Sequence, residues 1–539
     1  MSSNLPTSVI TSHAVSDSDY VHGVSEEYNL VYYIVNGDHI EITGRADRGD
    51  YPALAYFGPA EFPDDLETFE IVIPSEIDGL PVTSIESSAF YHDMGLSKIT
   101  LPDTLVTIGQ GAFLHTALES VDIPECVKKI EARAFHGCTR LKDVTIPSTV
   151  EYIGYEAFEY TAWQDGLPDG ITYVNNILYR CSGDIKELDI KEGTETICPS
   201  ALKNCTNVES VIFPDSIKDI AHDTFDKTEW FNNLPDGTYY INDMLYTYKG
   251  EAPENGEIIV REGTKEIMDG AFSNRKDIVS VVLPEGLEKI GNCAFDTCQG
   301  LKEINLPESL TYIGSSAFQF TGIENIKIPS GVKNIKRTTF NICRSLQEVI
   351  LPETLETIDF AAFSNCESLE SINIPYGVRE IGIQAFEDCK ALTSIMIPDS
   401  VEVIDNSAFE TCWILEEITI PDSVQEIGDY AFQNCWSLKK ITLPEHFRER
   451  TEKLNFYNSD IEIIFTPENS VKIMSATLAG DSNCDGELTV ADATLILQYL
   501  GNSDKYRLSE QGAVNADIAG ENDGISALDA LQIQKILAE

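Results

Sequence analysis

The chain of 539 residues carries 37 Lys and Arg against 89 Asp and Glu, a formal net charge of −52. That balance excludes the clustered basic surface that grips nucleic acid or anionic lipid. Hydrophobic residues make up 42% and aromatics 9%, enough to exclude wholesale disorder, and no apolar run reaches the roughly 18 residues of a membrane-spanning helix.

Residues 1–27 are Ser-rich and polar, without the apolar core of a signal peptide, and read as a flexible leader. In 28–67 the alternation LVYYIVNGDHIEITG predicts a capping hairpin. From 68 to 465 a repeat dominates, with 445–465 losing the pattern and reading as the C-terminal cap. Phe90, Phe113, Phe135 and Phe158 are spaced 23, 22 and 23 residues apart. Leu202 and Phe225 continue the series, and Phe272, Phe295, Phe318, Phe340, Phe363, Phe386, Phe409 and Phe432 follow at 22 or 23. A proline series from Pro284 to Pro444 runs in step. A fixed period of this length predicts a solenoid, because one coil cannot bury its apolar face without the next.

One unit shows the pattern. Leu392, Ile395 and Ile397 have strand spacing, Pro398 ends the strand, and Val401, Ile404, Ala408, Phe409 and Cys412 complete the inward set. Stacked coils then form a parallel ladder at about 4.8 Å. Small polar residues (Thr354, Gly377, Ser400, Ser423) hold the ninth position. Two stretches near 161–181 and 228–248 interrupt the period. Trp163, Leu167 to Gly170 and Tyr179 match Trp230, Leu234 to Gly237 and Tyr246 at an offset of 67, which predicts copied hairpins.

Eight cysteines (Cys138, Cys205, Cys298, Cys343, Cys366, Cys389, Cys412 and Cys435) share the slot three residues after the Phe or Leu202. Parallel neighbours in one slot are poorly set for disulfide geometry, so buried thiols are expected, with a stray bridge such as one from Cys126 left open. Trp413 and Trp436 follow two of these cysteines, in a slot that is otherwise polar. They read either as an exposed aromatic step for a sugar or protein ligand, or as a shield for a C-terminal cap. The residue after the turn proline is acidic in most coils, which reads as a solvated edge, with scattered surface calcium sites as the alternative. The eight histidines scatter, and no H-E-x-x-H, G-x-S-x-G or phosphate loop occurs.

Residues 466–479 read as a linker, and 480–539 carry the clearest chemistry. The segment 481–492 fits an EF-hand-type loop. Asp481, Asn483 and Asp485 supply oxygens at positions one, three and five, and Gly486 permits the sharp turn. Glu487 offers its backbone carbonyl, Thr489 a side chain or a water, and Asp492 closes the shell. An amphipathic helix follows at once. VADATLILQYL aligns with ALDALQIQKIL at an offset of 37, so the loop–helix unit recurs. The second loop is irregular, spanning 13 residues from Asp517 to Asp529, with Asp517, Asn522 or Asp523, the carbonyl of Ile525, and Asp529 as its displaced ligands. Two calcium ions are therefore expected.

The units I-x-I-P-x-x-V-x-x-I-x-x-x-A-F-x-x-C over about 28–465, opened by IPSEIDGLPVTSI, resemble BspA-like leucine-rich repeats. That resemblance implies a bacterial surface protein with an adhesive or unknown role. The tandem loop–helix at 479–539 resembles a type I dockerin, which plugs cellulosomal proteins into cohesins on a scaffoldin. Carrying the dockerin pattern across implies cohesin contacts at Val490, Ala491 and Gln498 in the first half, and at Ala527, Leu528 and Lys535 in the second. The expected fold is a β-rich leucine-rich-repeat solenoid followed by a small all-α calcium-binding dockerin. The expected role is a secreted, noncatalytic cellulosomal or cell-surface subunit that binds a cohesin through the dockerin and protein or plant cell-wall glycan through the solenoid. The rival readings are a hydrolase or peptidase with its site near the insertions, an inhibitor, or a spacer.

Overall fold

The computed structural model describes residues 20–25, 30–35, 38–45, 67–451 except 222, 461–466, and Leu495, Ile496 and Ile533. The chain divides into two compact units, Met1–Asn242 and Asp243–Glu539.

In the first unit the N-terminal edge is a β-meander. Leu30–Val35 pairs antiparallel with His39–Arg45, as the alternation predicts. Tyr20–Ser25, within the stretch read as leader, is a further antiparallel strand on Leu30–Val35. Its sequence YVHGVS alternates only weakly, so the pattern understates it. His39–Arg45 then pairs parallel with Leu80–Ile85 and passes the ladder to the coils. From there each coil contributes two short strands to two parallel ladders. One runs through Thr107–Ile108, Lys129–Ile130 and Tyr152–Ile153, the other through Leu96–Thr100, Ser120–Asp122 and Asp143–Thr145. In the second unit Asn334–Ile335, Thr357–Ile358, Glu380–Ile381, Val403–Ile404 and Glu426–Ile427 form a further parallel ladder.

The core follows from the sequence slots. Phe90, Phe113, Phe135 and Phe158 are fully buried and stack at 5.1–5.3 Å. In the second unit Phe272 to Phe432 stack in an unbroken column at 5.1–5.6 Å. Offset aromatic stacking adds to the area each ring buries. On either side of the Phe the chain turns through left-handed residues. Thr297, Phe320, Ile342, Asn365, Asp388, Thr411 and Asn434 all have φ between 56° and 63°. Two of the ninth-position hydroxyls satisfy carbonyls of the preceding coil: Thr354 Oγ1 donates to Ser330 O at 2.6 Å and Ser400 Oγ to Val378 O at 2.7 Å.

Ion pairs tie neighbouring coils across the surface. Lys128–Glu151, Lys186–Glu209, Lys265–Glu288, Arg379–Glu402 and Lys439–Glu416 each lie within 3.1 Å at a separation of 23 residues. The acidic row after the prolines is partly paired: Lys327 reaches Glu308 at 2.9 Å and Arg448 reaches Glu445.

Two differences from the sequence reading stand out. The ladder does not end where the pattern fades near 445. After a 3₁₀ turn at Glu445–Phe447, Glu462–Thr466 adds a parallel rung to Lys440–Pro444. Cys205 is not a thiol: it is bonded to Cys181, with Cα atoms 5.9 Å apart. The poor geometry applies to two cysteines in the same slot. Cys181 stands instead in the Phe slot, its N–H donating to Ala201 O as that of Phe135 donates to Ala157 O. A cysteine in the Phe slot faces the cysteine slot of the next coil, and that placement allows the bridge.

The cap carries a titratable lock. Glu41 is pushed up to about 7 by burial and by the neighbouring Glu86 carboxylate, against the pull of His39. Glu86 N–H also donates to Ile42 O at 2.8 Å, so the pair sits where the cap strand meets the first coil. A glutamate raised in the folded state keeps its proton where the unfolded chain has lost it. Cap stability therefore falls as pH rises from the ordinary glutamate range to about 7, and is flat above. Glu41→Gln is expected to remove this slope and to strengthen the cap at pH 8 by about 1–2 kcal/mol after solvent screening. Hydrogen exchange at His39–Arg45 between pH 5 and 8, corrected for intrinsic rates, reads it directly.

Candidate functional site

The cysteine slot is structural. Cys138, Cys298, Cys343, Cys366, Cys389, Cys412 and Cys435 are buried thiols. Each Sγ lies 3.0–3.4 Å from the carbonyl oxygen of the Phe one coil back, from Cys138 on Phe113 to Cys435 on Phe409. Burial pushes Cys138 and Cys343 up to about 11, the wrong direction for a nucleophile or a metal ligand. Where the slot holds Thr161 or Thr321, the hydroxyl donates to the carbonyl of the coil's own Phe at 2.8–2.9 Å. The shared demand is for a small donor. Among the described residues no group of three or more His, Cys, Asp or Glu is placed to hold a metal.

The tryptophan slot is exposed, and it forms a row. Arg344 Nε meets Glu367 at 3.3 Å, Lys390 Nζ meets Glu367 at 3.1 Å, and Lys390 also sits 4.9 Å over the Trp413 ring. Trp413 and Trp436 then stack at 5.5 Å and 10°. They are 39% and 57% exposed, and Ile414 beside them is 43% exposed. The two indoles face each other and Lys390 covers the far side of Trp413, so this step presents mainly ring edges. The outer strand positions also hold apolar side chains, with Ile259, Val282, Ile350 and Met396 between 47% and 68% exposed. A hollow lined by Ile304, Asn305, Asn325, Lys327, Glu348 and Ile350 opens on this face. It lies where Glu303–Ile304 and Asn325–Lys327 belong to separate sheets, at the 22-residue coil between Phe318 and Phe340.

The first insertion is a capped helical turn and a hairpin. Thr161 caps Ala162–Asp165 by accepting the Gln164 N–H, and Gly170–Val174 pairs antiparallel with Ile177–Ser182. Its copy has the same cap, Thr228 over Glu229–Asn232, followed by the strand Gly237–Ile241. Around the first insertion lies an ion cluster: Lys203 Nζ contacts Glu156 at 2.6 Å and Glu159 at 3.4 Å, and Arg133 Nε contacts Glu156 at 3.2 Å. Glu156 is lowered because its bonds to Lys203, Tyr155 and Arg133 outweigh its burial. Both carboxylates are held by cations, an arrangement that serves stability rather than proton transfer.

The expected calcium loops and cohesin-contact positions lie outside the described residues. Of the C-terminal segment, Leu495, Ile496 and Ile533 are helical, and Ile496 and Ile533 are fully buried.

A model of the BspA type leucine rich repeat region matches residues 61–166, 164–249, 265–393 and 356–485. The chain belongs to this family. BspA-type repeats thus account for the slots, the paired ladders and the Phe column. A leucine-rich repeat protein from Bacteroides ovatus is similar at 24% identity, covering 84% of this chain and 100% of that one, with a TM-score of 0.33. One from Eubacterium ventriosum is similar at 17% identity, covering 77% and 94%, with a TM-score of 0.31. A xylanase/beta-glucanase of Ruminococcus flavefaciens is 41% identical over 71 residues. That match spans 12% of this BspA-type chain and 9% of the enzyme. Among the described residues no helix is long and apolar enough to cross a membrane.

Proposed function

We propose that this BspA-type protein is a noncatalytic, extracellular binding subunit, carried on a scaffoldin by a calcium-folded dockerin at 480–539. The observation that carries the reading is the tandem loop–helix, in which Asp481, Asn483, Asp485, Glu487, Thr489 and Asp492 line up as a calcium shell. Ile496 and Ile533, equivalent at the offset of 37, are both helical and buried. Two equivalent buried isoleucines suit two helices that share a core. The short stretch of likeness to a xylanase/beta-glucanase is of the size of such a module and suits a plant-polysaccharide setting. The Cys181–Cys205 bridge supports an oxidising compartment outside the cytosol. The second calcium set is Asp517, Asn522 or Asp523, Ile525 O and Asp529. Cohesin contacts are Val490, Ala491, Gln498, Ala527, Leu528 and Lys535. Trp413, Trp436 and the outer strand face are the surface offered to a protein or glycan ligand.

Calcium removal tests the dockerin. Metal binding and folding of so small a module are one equilibrium. EDTA is expected to unfold 480–539 and abolish cohesin capture, while both repeat units keep their hydrogen-exchange protection. Capture that is unchanged in EDTA would sink the assignment.

A further inference from the structure

Seven of the eight histidines fall within the first 242 residues, leaving His446 alone in the rest. Three of the seven stack on successive coils. His115 Nδ1 lies 2.8 Å from His92 Nε2, and the two rings meet edge to face at 4.6 Å. The ring of His136 follows at 6.1 Å from that of His115. Tyr91 packs on His92 at 4.4 Å and on His115 at 6.5 Å, and Tyr160 closes the far end on His136 at 5.2 Å. His115 is 0% and His136 1% exposed, and His92 is half-buried.

The charges around this column decide how it takes up protons. The His92–His115 hydrogen bond needs one nitrogen to donate and the other to accept. One added proton is tolerated, most readily on half-buried His92. A second would set two cations 2.8 Å apart in a dry site. Asp93 follows His92 in sequence and is buried, in the slot that elsewhere holds cysteine. His136 Nδ1 has the Glu156 carboxylate at 3.8 Å. That anion is already held by Lys203 at 2.6 Å and Arg133 at 3.2 Å, so a third cation gains little there and loses its water.

We propose that the His92–His115–His136 column is an acid-sensitive release built into the first unit, opening its coils as pH falls below neutrality while the second unit stays closed. Unfolded histidines take up protons freely near pH 6.5. Each imidazole kept neutral in the fold therefore lowers the folded-to-open ratio about tenfold per pH unit below that value. The raised Glu41 acts in the opposite sense, since its contribution improves as pH falls. It cannot produce the acid opening. The second unit is the internal control. The slot of His92 and His115, left-handed at φ 59° and 61°, holds Asn365 and Asn434 there at 61° and 60°. The slot of His136 holds Gln319 and Gln433.

The experiment is hydrogen exchange on the full calcium-loaded chain from pH 7.5 to 5, corrected for intrinsic rates, with histidine C2–H exchange read in parallel. Peptides from 86–160 are expected to lose at least tenfold in protection, and those from 290–440 to change little. His115 is expected to stay uncharged until the coils open. The variant His92→Asn/His115→Asn/His136→Gln uses residues the repeat already accepts and should hold its protection at pH 5. Equal acid responses in the two units, or an undiminished response in the variant, would overturn the proposal. So would a His115 that charges while 86–160 stays protected. This last measurement uses the unaltered chain and stands if the variant does not fold.

Discussion

Phe363→Ala is expected to destabilise the second unit by about 3–5 kcal/mol. The ring is fully buried and stacks at 5.4 Å on Phe340 and at 5.4 Å on Phe386. Alanine removes its area and both stacking contacts at once. The gap cannot close by collapse, because the backbones on either side are fixed. Phe340 N–H donates to Ala362 O and Phe363 N–H to Ala385 O, at 2.9 and 2.8 Å. Those bonds keep the coils in register and leave a cavity where the ring stood. Stability in a stacked array is a sum over nearest neighbours, so the loss should centre on the coils of Phe340, Phe363 and Phe386. Urea denaturation gives the magnitude, and hydrogen exchange its spread. A loss under about 1 kcal/mol would mean that the column adds little beyond the strand ladders.

Much of this architecture was legible because a solenoid repeats its physics. The Phe, Cys and proline slots each recur at one spacing, and each recurs for a single reason: a ring column, a thiol aimed at a carbonyl, a strand end. What stayed hidden involves neighbours in different slots. Cys181 lies in an insertion, so a slot-by-slot reading never sets it beside Cys205. The histidine column steps from 115 to 136, 21 residues where that coil's period is 22, and so shifts by one slot. Read by period, the three histidines scatter. The last rung, Glu462–Thr466, is hard to read because residues 445–461 lack the proline and the Ala-Phe pair that mark most other coils. The tryptophan step was legible as exposed, but the stacking of its two rings upon each other follows from the coil spacing and not from the pattern. At the C-terminus the expectation of a calcium loop rests on oxygen ligands at fixed offsets within 12 residues, a signal that is local in the sequence.

Gly428→Ala should cost about 3 kcal/mol although it adds a single methyl group. Gly428 follows the rung Glu426–Ile427, and its N–H donates to Ile404 O at 2.7 Å. That bond draws it onto the preceding coil so closely that a Cβ would lie 2.6 Å from Asp405 C and 2.8 Å from Asn406 Cα. Neither atom can yield. Asn406 N–H is bonded to Asp405 Oδ1 at 2.6 Å, and Asn406 Oδ1 accepts the Asp429 N–H at 2.6 Å. The methyl group must therefore push the neighbouring coils apart against both bonds. Gly263 is the matched control in the same unit. It has φ +84°, and a Cβ there would meet nothing within 4 Å, so Gly263→Ala carries only the left-handed penalty of about 1 kcal/mol. The two variants separate close backbone approach from backbone conformation. Equal losses in urea would show that neighbouring coils separate freely at Gly428. A larger loss at Gly428, with protection falling across 403–429, would show that the ladder's spacing is fixed there by backbone against backbone.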